Sequence, residues 1–294
     1  MLIFKKVEIS DKEWVDEILK KSDCPSLEYN FTTLFIWQKI YNIEIARKND
    51  WLFVKSGKKK QSFLFPVGSG DAGEALNELE EYSRQNNMAM DFYSLSKKGC
   101  EFLENQYPGR YTFTEKRDTF DYVYTSESLA TLSGKKLSSK RNHINRFIEN
   151  NPDWVYEEID SSNIAEAAAM HSLWCDKAEC DSDEGLAEET CAVKRAFKYY
   201  SELGLSGGIL RAGGKVVAFT MGDELNESTF LVHIEKAYAE VQGAYPMINK
   251  QFVINNCQGY DYINREDDTG DEGLRKAKLS YRPVMLVEKY TAEE

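Results

Sequence analysis

The feature that most constrains the fold is a repeated order of predicted elements. Apolar periodicities of about 2 and about 3.6 residues divide the chain into strands and helices. Residues 3–124 and residues 154–290 each give the order β-α-α-β-β-β-α-β-α-β. Three successive strands are typical of an antiparallel meander, and the following β-α-β is typical of a crossover to a parallel strand. The pattern predicts an α+β protein with mixed sheets, built from two tandem domains of one fold.

The boundary between the two predicted domains lies in the segment "TSESLATLSGKK". We therefore predict an N-terminal domain at residues 1–130 and a C-terminal domain at residues 131–294. Within the second domain, Gly213 and Gly214 separate two predicted strands and are typical of a two-residue hairpin turn.

Charge and hydropathy exclude several protein classes. The 294 residues carry a formal charge of −12, whereas dedicated binders of extended nucleic acid usually have a positive balance. No stretch reaches the roughly 18 apolar residues of a membrane span. The start, "MLIFKKVEIS", has charges directly after its first apolar residues, unlike a signal peptide. The six scattered cysteines are expected to be thiols. These properties predict a cytoplasmic protein.

Three segments of the second half resemble a known family. They are "SGKKLSSKRNHINRF", "FLVHIEKAYAEVQGAYPMINKQF" and "YINREDDTGDEGLRKAKLSYRPV". With an element order like that of the GNAT (N-acetyltransferase) fold, they resemble the C-terminal domain of bacterial phosphatidylglycerol lysyltransferases. Gly273, Lys278 and Tyr281 also match the "Gly…Lys…aromatic" ending of the related Fem-type aminoacyltransferases. The resemblance implies two tandem GNAT-like domains in a soluble member without the membrane portion of those lysyltransferases.

The resemblance also implies a function. It indicates a transferase, with its active site in the C-terminal domain, that moves an activated acyl group to an amine or hydroxyl acceptor by direct attack. The acceptor would be a small or lipid-like molecule, and no metal would be needed. The donor would be an acyl-coenzyme A, favoured by the charge and by a phosphate-binding loop, or an aminoacyl-tRNA, favoured by the family. The alternative is a non-catalytic GNAT-fold module that binds a ligand or a partner.

The predicted strand "STFLVHIEKAY" supplies candidate catalytic groups. Alternation places His233 and Glu235 on one face and Ile234 on the other. An imidazole or a carboxylate beside a cleft can accept the proton of an attacking amine. Backbone N–H groups from Ile234 to Lys236 would stabilise the oxyanion. Alternatively, His233 is a surface or satisfied core histidine, and Glu235 belongs to a cross-strand salt bridge.

The segment "VQGAYP" opens the next predicted helix. Amide groups at a helix start can bind an anion, and a glycine lets the backbone approach it closely. In GNAT enzymes the corresponding loop holds the pyrophosphate of coenzyme A. The resemblance therefore implies donor binding by Val241, Gln242, Gly243, Ala244 and Tyr245. The motif is degenerate, and a helix cap with an incidental glycine is the alternative.

An acidic cluster follows the last strand of the predicted β-α-β unit. Asn264, Glu266 and Asp267 would lie at the carboxyl end of "YDYINRE", where ligands gather in crossover sheets. Asp267 is a candidate base, whereas Asn264 and Lys278 are candidate donor-binding residues. Tyr281 would protonate the leaving group. The alternative is an exposed acidic loop that pairs with the basic helix after it.

One segment near the predicted boundary is locally basic. Its cations would hold the phosphates of tRNA or of coenzyme A, or would be solvated on a helix that packs between the domains. They are Lys135, Lys136, Lys140, Arg141 and Arg146.

Two further patterns are weaker. Residues 68–73, "GSGDAG", copy a dinucleotide-binding fingerprint, but a meander of strands precedes them. His171, Cys175 and Cys180 are possible metal ligands, but no second pair at zinc spacing accompanies them. The core side of an amphipathic helix accounts equally well for His171 and Cys175.

Overall fold

A computed structural model describes residues 1–22, 24–178, 180 and 184–294. The chain forms two compact units. Unit 1 contains residues 1–121, 267–272 and 286–294, and unit 2 contains residues 122–266 and 273–285. In the described ranges, no helix combines the length and the apolar character needed to cross a membrane.

Unit 1 is built on a mixed sheet. Its strands are β1 (Lys5–Lys6), β2 (Glu44–Lys48), β3 (Trp51–Ser56), β4 (Ser62–Phe63), β5 (Val67–Gly68), β6 (Phe92–Leu95), β7 (Thr112–Glu115) and β15 (Tyr290–Glu293). Its helices are α1 (Lys12–Leu19), α2 (Phe31–Tyr41), α3 (Ala72–Gln85) and α4 (Lys97–Gln106). The strand order is β1-β2-β3-β4-β6-β15-β7, with β5 paired to β3.

The core of unit 1 lies where α3 crosses its sheet. Leu76 and Leu79 lie one helical turn apart on α3 and are buried with Phe63 of β4 and Phe92 of β6. Phe63 and Phe92 are also register partners in the parallel pair that α3 connects. The β-α-β crossover predicted from the sequence is therefore present in this unit.

The second sheet, on which unit 2 is built, is also mixed. Its strands are β8 (Asp121–Thr125), β9 (Val155–Glu158), β10 (Ser206–Ala212), β11 (Lys215–Asn226), β12 (Thr229–Ala237), β13 (Tyr262–Asn264) and β14 (Met285–Val287). The helices are α5 (Ser126–Thr131), α6 (Ser138–Asn150), α7 (Ile164–Lys177), α8 (Glu184–Lys198), α9 (Tyr200–Leu203), α10 (Ala244–Asn256) and α11 (Glu272–Leu279). The strand order is β14-β8-β13-β12-β11-β10-β9.

The meander of the second sheet begins at the predicted hairpin. Gly213 and Gly214 have φ values of 58° and 70°, which a two-residue turn of this type requires and which glycine adopts without strain. Ala212 and Lys215 are register partners across the turn. The next connection is α10, which carries the chain from β12 to the parallel strand β13. Both sheets therefore combine a meander with a parallel pair, which confirms the predicted α+β class with mixed sheets.

Each sheet contains a strand from the other half of the sequence, so a single boundary in the sequence does not separate the two sheets. The C-terminal β15 pairs with β6 and β7 in the first sheet, whereas β8, from the N-terminal half, pairs with β13 in the second. We expected one strand at residues 111–124 and one at residues 283–290. A 3-10 turn at Arg117–Thr119 divides the first into β7 and β8, and the second divides into β14 and β15. The predicted boundary at residues 130/131 therefore falls after β8 instead of before it.

Candidate functional site

The site in unit 2 is centred on an ion pair between β12 and the residue after β13. Nη2 of Arg265 donates to Oε1 of Glu235 at 2.7 Å, and Nδ2 of Asn249, on α10, donates to Oε2 of the same carboxylate at 2.9 Å. The side chains of Glu235 and Arg265 are each 11% exposed. Both carboxylate oxygens of Glu235 are therefore occupied by fixed donors.

Two polar atoms of this cluster lack hydrogen-bond partners within the described part of the chain. They are Nη1 of Arg265 and Oδ1 of Asn249, and both atoms are buried. Leaving a buried donor or acceptor unsatisfied costs about 1–3 kcal/mol, so native proteins rarely keep such groups without a reason. One donor and one acceptor beside the same carboxylate form an arrangement suited to a ligand with a carbonyl and an amine.

Tyr281 forms an aromatic wall of the cluster. Its ring lies 4.9 Å from the guanidinium carbon of Arg265 and packs edge-on against Tyr124. Burial raises the pKa of the Tyr281 phenol, the negative charge of Glu235 adds to this effect, and Arg265 opposes it. The phenol consequently keeps its proton at neutral pH, as a proton donor to a leaving group must.

Lys140 brings helix α6 into the same cluster. Its Nζ lies 4.0 Å from the centre of the Tyr281 ring. Burial and the positive charge of Arg265 lower the pKa of Lys140 to about 8, although Glu235 acts in the opposite direction. The sequence suggested either a phosphate contact or a solvated charge for this residue, whereas the structure brings it to Glu235 and Tyr281.

His233 is bonded through both ring nitrogens. Its Nε2 lies 2.9 Å from Oδ1 of Asp223 and its Nδ1 lies 3.0 Å from Oε1 of Glu266, with the imidazole side chain 1% exposed. Burial opposes a charge on the ring, but Asp223 and then Glu266 outweigh it and raise the pKa of His233 to about 10. An imidazolium that donates to two carboxylates has no free lone pair, so this geometry does not suit His233 for the predicted role of base.

The ion pairs Glu235–Arg265 and His233–Glu266 lie where the parallel strands β12 and β13 separate. Pairing between β12 and β13 runs from Thr229↔Tyr262 to Leu231↔Asn264. Beyond that point the side chains of Arg265 and Glu266 reach back to β12. The register of β12 with β11 also shifts at this level, which leaves His233 as the extra residue of a β-bulge. Bulges commonly re-aim side chains beside active sites.

Asn264 and Lys278 hold this turn in place. Oδ1 of the buried Asn264 accepts from the backbone N–H of Glu266 at 2.8 Å, and Glu266 has a φ of 57°. Nζ of Lys278 donates to the carbonyl oxygen of Arg265 at 2.5 Å. Both residues were predicted to bind the donor. The structure gives each of them a contact that positions Arg265 or Glu266.

The loop "VQGAYP" has fewer available amides than we expected. Gly243 has a φ of 84°, and a Cβ added there would lie 2.2 Å from the carbonyl oxygen of His143, on α6. The N–H of Ala244 donates to the carbonyl of Val241, and Pro246 has no N–H. Packing against α6 therefore accounts for Gly243, and the fit to a coenzyme A pyrophosphate is weak.

Four other residues predicted to bind the donor lie in this loop or on β12. Gln242 is exposed. Tyr245 is 37% exposed. Burial raises the pKa of its phenol, and the nearby Glu235 carboxylate adds to this effect.

The two predicted residues on β12 have partners of their own. The ammonium of Lys236 pairs with Glu189 at 2.7 Å and lies 4.1 Å from the Trp174 ring. Ile234 is buried in β12, and its carbonyl accepts from the Thr220 hydroxyl. Of this set, Tyr245 is the residue that borders the cluster.

Asp267 belongs to unit 1, not to the cluster in unit 2. Its charge contributes to raising the pKa of the buried Lys289 amine, which also pairs with Asp121 and Glu28. The acidic segment of the sequence is therefore divided, because Glu266 contacts His233 and Asp267 acts on a different cation.

The basic segment is divided in a similar way. Lys135, Lys136 and Arg146 are exposed, whereas Lys140 is half-buried. Arg141 donates to the carbonyl oxygens of Leu132 and Gly134, so it helps to hold the turn before α6. One segment, the turn before α6 and α6 itself, thus carries cations at the surface and a cation in the cluster.

The two weaker sequence patterns have local structural roles. The carboxylate of Asp71 accepts from the N–H of Gly73 at 2.8 Å, so it caps α3 where a dinucleotide phosphate would bind. Sγ of Cys175 lies 3.6 Å from Nε2 of His171 and 3.0 Å from the hydroxyl of Thr190. Over residues 1–22, 24–178, 180 and 184–294, no group of three or more His, Cys, Asp or Glu side chains is arranged to hold a metal ion.

A family model described as the C-terminal domain of phosphatidylglycerol lysyltransferase matches residues 21–293. The chain belongs to this family. A crystal structure of a conserved protein from Bacteroides thetaiotaomicron is similar to it, with 40% identity, a TM-score of 0.95 and coverage of 100% of this chain and 99% of that chain. The chain spans about half the length, 54%, of a curated relative from Mycoplasmoides gallisepticum. The two are 27% identical over 184 residues, 58% of this chain.

Two more distant structures define the fold. The L-PGS of Bacillus licheniformis has a TM-score of 0.66 at 16% identity, with coverage of 97% of this chain and 92% of that chain. A tandem GNAT protein from the clavulanic acid biosynthesis pathway has a TM-score of 0.50 at 10% identity, with coverage of 100% and 98%. These likenesses confirm the predicted tandem GNAT-like fold.

Arg265 and Asn249 are members of the site that were not predicted from the sequence. Arg265 is the cation that directly precedes three acidic residues, and its position near the carboxyl end of the predicted strand "YDYINRE" was a usable signal. Asn249 lies within a helix whose other inward residues are apolar, and it is 1% exposed. A buried amide on an apolar helix face is a recognisable signal once the helix has been predicted.

Proposed function

We propose that the chain is an aminoacyltransferase that takes its aminoacyl group from aminoacyl-tRNA. A hydroxyl or amine of a lipid-like acceptor would attack the acyl carbon directly. The family supports this proposal, since its description names a phosphatidylglycerol lysyltransferase. The observation that carries the proposal is the pair of unsatisfied buried atoms beside Glu235, on Arg265 and Asn249.

The cluster has the groups that this reaction requires. The free N–H of Arg265 is suited to donate to the carbonyl oxygen, on which negative charge develops during attack. Oδ1 of Asn249 is suited to accept from the amine of the aminoacyl group. Glu235 fixes both side chains, and the protonated Tyr281 is suited to donate to the leaving oxygen. The predicted role of backbone amides from Ile234 to Lys236 is not needed in this scheme.

The contacts favour tRNA over coenzyme A as donor. Lys135, Lys136 and Arg146 are exposed on the segment that also carries Lys140 into the cluster. Exposed cations of this kind contact nucleic-acid phosphates. In contrast, the loop at residues 241–246 is less suited to a coenzyme A phosphate. The N–H of Ala244 already donates to Val241, and Pro246 has no N–H.

The test is a transfer assay with defined probes. The wild type and Arg265→Met would be incubated with tRNA charged with a mixture of radiolabelled amino acids and with vesicles containing phosphatidylglycerol. Parallel reactions would replace the charged tRNA with acetyl-coenzyme A and the vesicles with a soluble amine. We expect label from tRNA in the lipid fraction with the wild type and a loss of at least about 100-fold with Arg265→Met.

Three other results would contradict the proposal. Transfer from acetyl-coenzyme A alone would make the protein an acyl-coenzyme A transferase. Binding of charged tRNA without transfer to lipid or amine would favour the non-catalytic module. Transfer that Arg265→Met leaves intact would remove the proposed site from the reaction. Lys215→Met, at the exposed hairpin in unit 2, is the matched control for loss of a cation.

A further inference from the structure

The proposed reaction needs a proton acceptor, and the residues predicted for that role are poorly suited to it. Glu235 accepts from Arg265 and Asn249, so both of its oxygens are engaged. His233 is bonded to carboxylates through both nitrogens. Asp267 belongs to unit 1. The amine of Lys140 is the remaining basic group at the cluster. Within the described residues, it donates a hydrogen bond to neither a carboxylate nor a carbonyl oxygen.

We propose that Lys140 accepts the proton of the attacking nucleophile. This inference rests on the proposed aminoacyl transfer and adds a catalytic residue to it. The bond between the nucleophile and the acyl carbon forms as the ester C–O bond breaks, and the electron pair of that bond stays on the leaving oxygen. Tyr281 donates its proton to that oxygen, and the Lys140 ammonium returns a proton to Tyr281. Protons and charges therefore balance without a further reactant.

The surroundings of Lys140 favour this role. The groups that face it are the Tyr281 ring, at 4.0 Å, the Arg265 guanidinium and the Glu235 carboxylate. Partial burial, and then the positive charge of Arg265, disfavour the ammonium form and lower the pKa of Lys140 to about 8. A general base works best when its pKa lies near the working pH. The same amine lies over the face of the Tyr281 ring, whose phenol would protonate the leaving oxygen.

A phosphate contact is the competing role for Lys140, and arginine substitution separates the two. An arginine keeps the positive charge and binds phosphate well, but it does not lose its proton in the accessible pH range. Lys140→Arg should therefore lower the single-turnover rate of transfer at pH 7.5 at least about 100-fold and leave the affinity for charged tRNA within about threefold. The wild-type rate should rise with pH up to about 8 and then level off, a dependence that Lys140→Arg should lack.

Chemical rescue and labelling add readouts that do not depend on the fold of one variant. Lys140→Ala should regain part of its rate when methylamine is added, because a free amine can replace the missing base. In the wild type, competitive labelling with acetic anhydride followed by peptide mass spectrometry should show Lys140 reacting at lower pH than the pool of other lysines. Lys215→Arg, at the exposed hairpin, is the matched control and should keep the wild-type rate and pH profile.

The possible failures are distinguishable. No transfer by the wild type would overturn the proposed function, and the role of Lys140 with it. Transfer that Lys140→Arg retains within about threefold, with an unchanged pH profile, would overturn the role of Lys140 alone. Labelling of Lys140 over the same pH range as the other lysines would also overturn the role of Lys140, and this measurement needs no substrate.

Discussion

Each unit buries a cation against carboxylates, but the hydrogen bonds of the two cations are completed to different extents. In unit 1, Lys289 is 1% exposed and donates to Asp121 at 2.6 Å and to Glu28 at 2.9 Å. Asp121 also accepts from the backbone N–H of Leu27, and Glu28 accepts from Ser94. In unit 2, Arg265 has one carboxylate partner and an N–H without any partner in the described residues.

Under the proposed function, this difference separates a structural cluster from one that binds a ligand. The ammonium of Lys289 and the carboxylates around it hold residues 286–294 to the rest of unit 1, as the ladder of β15 also does. A buried donor or acceptor without a hydrogen-bond partner lowers stability, so a purely structural cluster gains nothing from one. The open groups on Arg265 and Asn249 therefore point to a ligand that completes them.

The largest expected effect on stability is at the complete cluster. Lys289→Met would leave Asp121 and Glu28 without their buried cation, and it should lower the free energy of unfolding by about 3–5 kcal/mol. Arg265→Met should cost less, about 1–3 kcal/mol, because one of its N–H groups has no partner to lose. Urea unfolding of both variants checks this order. Equal losses, or a larger loss for Arg265→Met, would show that the two clusters have the same role.

The second prediction concerns pH and His233. Its pKa in the folded protein, about 10, lies above the ordinary value of 6.5, so folding favours the protonated ring. The stabilisation from its two ion pairs should be complete below pH 6.5 and should be lost as the pH rises towards 10. Each unit of pKa shift corresponds to about 1.4 kcal/mol.

The variant His233→Gln makes this measurable. We expect the difference in unfolding free energy between wild type and variant to shrink steadily from pH 6.5 to pH 10. A difference that stays constant over this range would mean that the ring is neutral in the folded protein and is free to act as a base.

A smaller effect tests why Gly243 is a glycine. An added Cβ would lie 2.2 Å from the carbonyl oxygen of His143 and 2.9 Å from Cβ of Phe147, so Gly243→Ala should cost about 2–4 kcal/mol of unfolding free energy. Gly204 has a similar φ of 71° with no atom within 4 Å of an added Cβ, so Gly204→Ala should cost about 1 kcal/mol. Thermal unfolding compares them. Equal costs, with coenzyme A binding lost only in Gly243→Ala, would restore the phosphate-loop interpretation.

The smallest effect concerns the exposed cations near α6. Lys136→Ala should leave stability unchanged and should reduce the slope of log affinity for tRNA against log salt by about 0.7–0.9. Fluorescence anisotropy at four salt concentrations measures this slope. An unchanged slope would exclude Lys136 from the tRNA contact.

The fold could be predicted further than the site. The repeated order of elements follows from local periodicity, and the predicted hairpin turn at Gly213 and Gly214 follows from local turn chemistry. The exchange of β8 and β15 could not be predicted this way, because strand partners far apart in sequence leave no local pattern. Similarly, Glu235 and Tyr281 were identified from their segments, but the division of Glu266 from Asp267 depends on a turn with positive φ at Glu266.

The most direct test of the account is the affinity of the protein for charged against uncharged tRNA, measured with the wild type and with Arg265→Met. If the open N–H of Arg265 binds the acyl carbonyl, the wild type should bind charged tRNA at least about 10-fold more tightly, as expected for a hydrogen bond from a charged group. Arg265→Met should abolish that preference and keep its affinity for uncharged tRNA. Equal affinities in the wild type, or a preference that survives in Arg265→Met, would contradict the account.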